Sequence, residues 1–417
     1  MRVKTIIGKL FGICLEWTHK KRYQAVLAAV EALIRGGRLS ITELGRNLKR
    51  HTALKHAIKR IDRLVGNWHL ASEHELWYEA IARAILGNTS RPVLLIDWTD
   101  LGDFAVLAAT AAFSGRSLIL YQEAHKKSHK GNRKVQHRFL QALRRILPSN
   151  CRPILVADAG FRSPFFQSCD CFGLDFIIRI RGRVYVKPYQ NDREQRVHID
   201  ELYRDAAAQP TCLGEHVPYC SSRFAGRYRL VLGSKTKRRL TKRDRYYQRR
   251  KLQPWLLATT LENQPAKDII DIYAKRMEVE ETFRDTKNPR LGWALSFSMS
   301  SHVLRVNNLL LIAALAYLVV ILVAHSAEQA AIAHYYQANS VKNRRVLSLF
   351  LLGKTILRDG VSPVALVRLR AFRKFVVTLP NHYTAYHKAY RGDPPHDLYC
   401  ADCGDNFMLY GWPTVEE

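Results

Sequence analysis

Two short apolar runs, VLLIDWTD and PILVADAGF, each end in an acid, at Asp97 and Asp158. Runs of this length read as buried strands. Between them lie FAVLAATAAF and RSLILYQEAH, two further strands with Gly115 in the turn that joins them. HKKSHKGNRK follows as a basic loop, then VQHRFLQALRRILP, an amphipathic helix stopped by Pro148. After the second acid come a short helical stretch and DFIIRIRG, a fifth strand. The order is β-β-β-α-β-α-β, an antiparallel meander continued by crossovers, which are right-handed in nearly all sheets.

This order is similar to the ribonuclease-H-like fold, in which the first and fourth strands lie side by side and parallel. The resemblance implies an α/β chain in which Asp97 closes the first strand and Asp158 the fourth, both at one sheet edge. Ligand sites in open α/β sheets favour that edge. Hard oxygen donors there suit Mg2+ or Mn2+. An acid at a strand end is also a common turn former or helix cap, so each alone says little.

The remaining segments divide the chain into five parts. Residues 1–89 read as a helical N-terminal DNA-binding domain, and 90–186 as the first part of the core. Residues 187–254 read as a β-rich basic insertion, and 255–330 as the second part of the core. Residues 331–417 form a helical C-terminal region with a place for dimerisation. In the first part, RYQAVLAAVEALIRGG stops at Gly36–Gly37, and Ser40 with Glu43 fits a capping box opening ITELGRNL. TALKHAIKRIDRLVGN then gives a helix with Ile58, Ile61 and Leu64 on one side and Lys55, Lys59, Arg60 and Arg63 on the other. The pair fits a helix-turn-helix that lays its second helix in a major groove, or equally a helical bundle with a solvated basic face.

Charge narrows the partner. Lys plus Arg is 66 against 36 for Asp plus Glu, a net charge of +30. A globular chain this basic calls for a polyanion, nucleic acid first and an anionic membrane second. KTKRRLTKRDRYYQRRK at 235–251 joins dense cations to Tyr246 and Tyr247, suited to phosphates and unpaired bases, and the 125–134 loop is a second patch. VNNLLLIAALAYLVVILVA at 306–324 is long enough to span a bilayer, yet a buried core helix reads the same way. With basic sequence on both of its flanks, we expect no membrane insertion. The opening MRVKTIIGKLFGICLEW faintly resembles a signal peptide, but Lys9 and Glu16 break its apolar run and no small-residue cleavage site follows, so the protein is expected in the cytoplasm with its eight cysteines reduced. Cys400 and Cys403 are too few ligands for a structural zinc site, and no Gly-rich phosphate loop is present.

A two-metal site needs a third acid, and DIYAKRMEVEETFRDTKNPRLG offers several. On one helix beginning near Asp268, Tyr273, Arg276, Glu280 and Lys287 fall along one side. That side presents a carboxylate flanked by a phenol, a guanidinium and an ammonium, which suits metal plus phosphate. Glu280 with Arg284 and Glu281 with Asp285 equally fit an ordinary charged, solvated face.

The spacing Tyr273-x2-Arg276-x3-Glu280-x6-Lys287 resembles the Tyr-Arg-Glu-Lys signature of cut-and-paste insertion-sequence transposases, the family numbered four (Tn-ten type) among the DDE transposases. IDWTD, LPSN…VADAGF, PWLLATTL, IYAKRMEVEETFRDTK and TELGRNL…KHAIKRIDRL carry the likeness over roughly residues 40–350. The resemblance implies that Asp97, Asp158 and Glu280 hold two Mg2+ ions, for which Mn2+ substitutes. It implies that Tyr273, Arg276 and Lys287 hold phosphates of the element end, and that Trp255 stacks a flipped-out base. It further implies a homodimer that binds the terminal inverted repeats, excises the element through hairpinned ends and joins its 3′ ends to target DNA. A metal-dependent nuclease of the same fold, without strand transfer, is the alternative. A DNA-binding regulator that uses only the N-terminal helices comes third.

Overall fold

The computed structural model describes residues 3–11, 18–49, 51–188, 196–207, 209–219, 226–233, 254–295, 298–338, 340–341 and 345–359. The 235–251 basic run, Cys400 and Cys403 lie outside these residues.

The N-terminal helices are α1 (Val3–Phe11), α2 (Lys20–Gly36), α3 (Ile41–Arg46), α4 (Leu54–Val65), α5 (Trp68–Ser72) and α6 (His74–Leu86). α2 stops where Gly37 takes a φ of 70° and returns its N–H to the Leu33 carbonyl at 2.8 Å. Ser40 caps α3 by accepting from the Glu43 N–H at 3.3 Å. A Cβ on Gly45 would lie 2.6 Å from the Ile58 Cα, so α3 and α4 meet at a backbone contact that needs glycine. On α4, Ala57, Ile61, Leu64 and Val65 are buried, whereas Lys55, Lys59, Arg60 and Arg63 are exposed.

The sheet begins as the meander the sequence implies: β1 (Val93–Leu101), β2 (Phe104–Phe113) and β3 (Arg116–Lys126) pair antiparallel. After α7 (Arg133–Ile146), β4 (Ile154–Ala157) runs parallel to β1. After α8 (Ser163–Cys171), β5 (Asp175–Ile180) runs parallel to β4. These orders and directions are consistent with a ribonuclease-H-like core. One detail differs from expectation. Asp97 does not close β1; its parallel pairing with β4 ends at Ile96–Ala157, while its antiparallel pairing with β2 continues to Leu101–Phe104.

Past β5 the same sheet goes on, ten strands in the order β3-β2-β1-β4-β5-β10-β9-β8-β6-β7. The added strands are β6 (Tyr185–Pro188), β7 (Val197–His198), β8 (Thr211–Tyr219), β9 (Tyr228–Gly233) and β10 (Trp255–Thr259), with the one-turn α9 (Ile199–Leu202) among them. The stretch read as an insertion therefore contributes strands to the main sheet in its described parts.

Two helices stand where the sequence reads one. α10 (Ala266–Ala274) and α11 (Met277–Lys287) are joined by a tight turn in which Lys275, Arg276 and Glu278 each donate three residues back. α12 (Val303–Gln329) is the apolar segment, buried throughout its most hydrophobic window, and it packs against α2, α4, α5 and β3. α13 (Leu349–Asp359) lies against it, where a Cβ on Gly353 would meet the Val320 carbonyl at 2.0 Å. One apolar cluster joins these helices to one face of the sheet, from Ile6 to Ile356. Cysteine departs from expectation: Cys151, Cys169 and Cys212 are free thiols, but Cys171 is disulfide-bonded.

Candidate active site

The register sets Asp97 and Asp158 side by side, because each directly follows one member of the Ile96–Ala157 pair. Asp97 accepts from the Trp98 N–H at 2.8 Å, and Asp158 from the Gly160 N–H at 2.8 Å. Burial, then the charge of Asp158, pushes the Asp97 carboxyl up to about 7; Glu280 adds to this, while Arg276 and the Trp98 N–H oppose it. Glu280 thus reaches the pair from α11.

Arg276 links the acids. It donates to Glu280 Oε1 at 2.6 Å and to Asp97 Oδ2 at 3.4 Å. Burial works against its charge, and Tyr273, Asp97 and Glu280 outweigh that, so its pKa lies above the ordinary value. Tyr273 is buried beside it, with its ring 4.9 Å from Trp255 in an edge-on contact. Lys287 sits further along β1, donating to Thr99 Oγ1 at 2.6 Å and to the Asp100 carbonyl at 3.4 Å. Of the sequence-read residues, Asp97, Asp158, Glu280, Tyr273, Arg276, Lys287 and Trp255 are therefore gathered at one place. Lys55, Lys59, Arg60 and Arg63 lie elsewhere, on the exposed face of α4.

Beside the acids opens a cleft of about 1040 Å³. Trp255, Tyr273, Arg276 and Glu280 line it together with Arg179, Arg181 and Arg183. Those last three escaped the sequence reading. Their signal was the alternation in RIRGR, which places a cation at every second position where β5 leaves the sheet.

What fixes Glu280 was also invisible in the sequence. α11 is held against the β2–β3 hairpin by three side chains from its own surface. Glu278 Oε2 accepts from the Phe113 N–H at 2.8 Å, and Thr282 Oγ1 from the Ser117 N–H at 2.9 Å. Asp285 Oδ2 accepts from Arg116 Nε at 2.7 Å. Glu281 pairs with Arg284 at 2.8 Å. The other acids of α11 are thereby engaged, leaving Glu280 to face Asp97 through Arg276.

Among the described residues no three acids or other ligand side chains converge closely enough to hold an ion. The donor chemistry nevertheless suits a hard divalent cation: carboxylates gathered around one positive charge, with Asp97 disfavoured as an uncompensated anion.

No curated protein matches the chain. A family model described as a transposase DDE domain does match it, over residues 88–319. That span covers more than half of the 417 residues and runs from just before β1 into α12, taking in every element that carries the cleft, and the chain belongs to the transposase DDE-domain family.

Proposed function

We propose that the chain is a cut-and-paste transposase of the insertion-sequence family numbered four, with Asp97, Asp158 and Glu280 as its metal-binding acids. The observation that carries this reading is Arg276, whose one guanidinium spans a strand-borne and a helix-borne carboxylate. It supplies positive charge where the family's chemistry requires it. DDE domains use divalent metals; two such ions, when bound by these acids, supply Lewis-acid activation of the attacking and leaving oxygens.

The residues of the chain account for the rest. Asp97 and Asp158 are held rigidly by neighbouring strands, and Glu280 by the three-point attachment of α11. Turning of Arg276 away from the carboxylates frees them as ligands and delivers its guanidinium to a phosphate. Tyr273 and Lys287 flank the same path and bind the backbone of the element end. Trp255 offers its ring to an unstacked base at the mouth of the cleft. Water serves as the first nucleophile and frees a 3′-hydroxyl. That hydroxyl attacks the opposite strand to give a hairpin, water reopens it, and the 3′ end then joins target DNA. Lys55, Lys59, Arg60 and Arg63 on α4 bind the terminal repeat, and two copies of the chain hold the two ends.

A plasmid carrying an element bounded by the repeats that flank this gene tests the proposal. Purified protein is added with Mg2+, Mn2+ or EDTA, beside the Glu280→Ala variant. Metal-dependent excision with hairpinned ends, absent in the variant, is the expected result. Cleavage without joining points instead to a nuclease of the same fold, and binding without cleavage to a DNA-binding regulator.

A further inference from the structure

The acids stand between two groups of cations, and only one of them belongs to the cleft. The other lies along the connection from β3 to α7. Lys130 Nζ pairs with Asp100 Oδ1 at 2.8 Å, next to the Asp100 carbonyl that accepts from Lys287. The hydrogen bond from Lys130, with the nearby charges of Lys130, Lys127 and Lys287, holds the Asp100 carboxyl below its ordinary range. The connection is thus anchored on β1 three residues beyond Asp97. Along it Lys126, Lys127, Lys130, Arg133 and Lys134 are all exposed, against the exposed acids Asp100 and Asp103. α7 starts here with Asn132 as its cap and no acid in its first turn, so its positive end adds to the field.

The two groups differ in chemistry. The cleft side carries aromatic rings, Trp255 and Tyr273, beside its arginines and suits a strand end with unstacked bases. The loop side is made of four lysines and Arg133, with no Trp, Tyr or Phe from Lys126 to Lys134, which suits the continuous backbone of a duplex. Joining requires two DNAs at one set of acids. The 3′-hydroxyl oxygen forms a bond to a target phosphorus as the bond to the target's own 3′ oxygen breaks. The proton lost by the first oxygen is matched by one gained by the second, so no further reactant is needed.

We propose that residues 126–134 form the docking surface for the target duplex, which receives the element's 3′ end. The inference rests on the transposase reading above and names a second DNA site within it.

The test uses the full chain with Lys126, Lys127 and Lys134 all changed to Gln, and a companion with all three changed to Arg. Two substrates are compared: an intact element end, scored for cleavage, and a pre-cut end with a free 3′-hydroxyl, scored for joining to a plasmid. The Gln variant is expected to melt like the wild type and to cleave intact ends at its rate, while its joining falls at least tenfold. Its affinity for a duplex lacking the repeats loses salt dependence, by a slope of about 0.9 for each phosphate contact removed. The Arg variant joins normally. Joining at the wild-type rate by the Gln variant overturns the proposal, and so does loss of cleavage in step with joining, which places the element's own DNA on this loop. A wild type that neither cuts nor joins refutes the transposase reading itself.

Discussion

His74 donates from Nε2 to the side-chain oxygen of Asn308 at 2.7 Å, where α6 meets the apolar α12. Asn308 has no solvent exposure, and its Nδ2 donates to the carbonyls of Val65 at 2.8 Å and Asn67 at 3.1 Å. One amide on α12 therefore satisfies the end of α4, the cap of α5 and the first residue of α6. Replacing it with Leu strands the Val65 carbonyl and an imidazole N–H, while the Asn67 carbonyl keeps the Ala71 N–H, at a cost of about 3 kcal/mol. Asn308→Leu is expected to lower the calorimetric melting temperature by several degrees. An unchanged melt contradicts this account of the joint.

The same joint makes stability depend on pH. Burial pushes the His74 imidazole down to about 4, against the opposing pull of Asn308 and Glu73. The unfolded chain, with an ordinary imidazole near 6.5, binds the proton first as pH falls. The contribution is complete above about pH 6.5 and is lost as pH drops toward 4, by about 3 kcal/mol in all. Urea unfolding at pH 7, 5.5 and 4.5 measures it. His74→Gln is expected to flatten that slope, and an equally steep slope in the variant assigns it to other groups.

Arg276 is the internal cation of the candidate site, so its removal separates charge balance from DNA binding. Arg276→Gln leaves Asp97 and Glu280 without their shared partner. The metal-free variant is expected to melt lower than the wild type, and added Mn2+ to raise its melting temperature more. End cleavage falls at least a hundredfold, because the phosphate contact goes with the guanidinium. A smaller Mn2+ effect in the variant shows that Arg276 assists the ion rather than standing in for it.

Glu278 acts on the site through the backbone of its helix. Glu278→Ala releases the Phe113 N–H and one of the three attachments of α11. Cleavage is expected to drop about tenfold, the equivalent of roughly 1.4 kcal/mol, with affinity for the element end unchanged. Glu278→Gln keeps an oxygen for Phe113 and restores the rate. Failure of the Gln variant to restore it assigns Glu278 a role for its charge.

The sequence made the meander and its two acids legible because buried strands between polar turns leave a local trace. Asp97 and Asp158 became neighbours once that order was read. The continuation of β1 to Leu101 left no such trace, since it depends on pairing with β2 beyond the last contact with β4. The turn at Lys275–Arg276 was hidden as well, because no proline or glycine marks it. Nor does charge patterning distinguish Glu278 from Glu280; what separates them is whether a backbone N–H from β2 or a guanidinium from the next turn lies opposite. α12 is long and apolar enough to cross a membrane, and its neighbours show that its apolar surface is covered by protein.

α12 also works as a strut. It touches α4, whose cations face outward, and β3, the sheet strand to which α11 is attached, with a single apolar core between them. In the proposed transposase this frame makes a ruler of the helix that reads and the acids that cut, and sets the cut a fixed number of base pairs from the sequence that is read. Each base pair inserted between the two turns the recognition face by about a tenth of a helical turn, which a single packed core resists following.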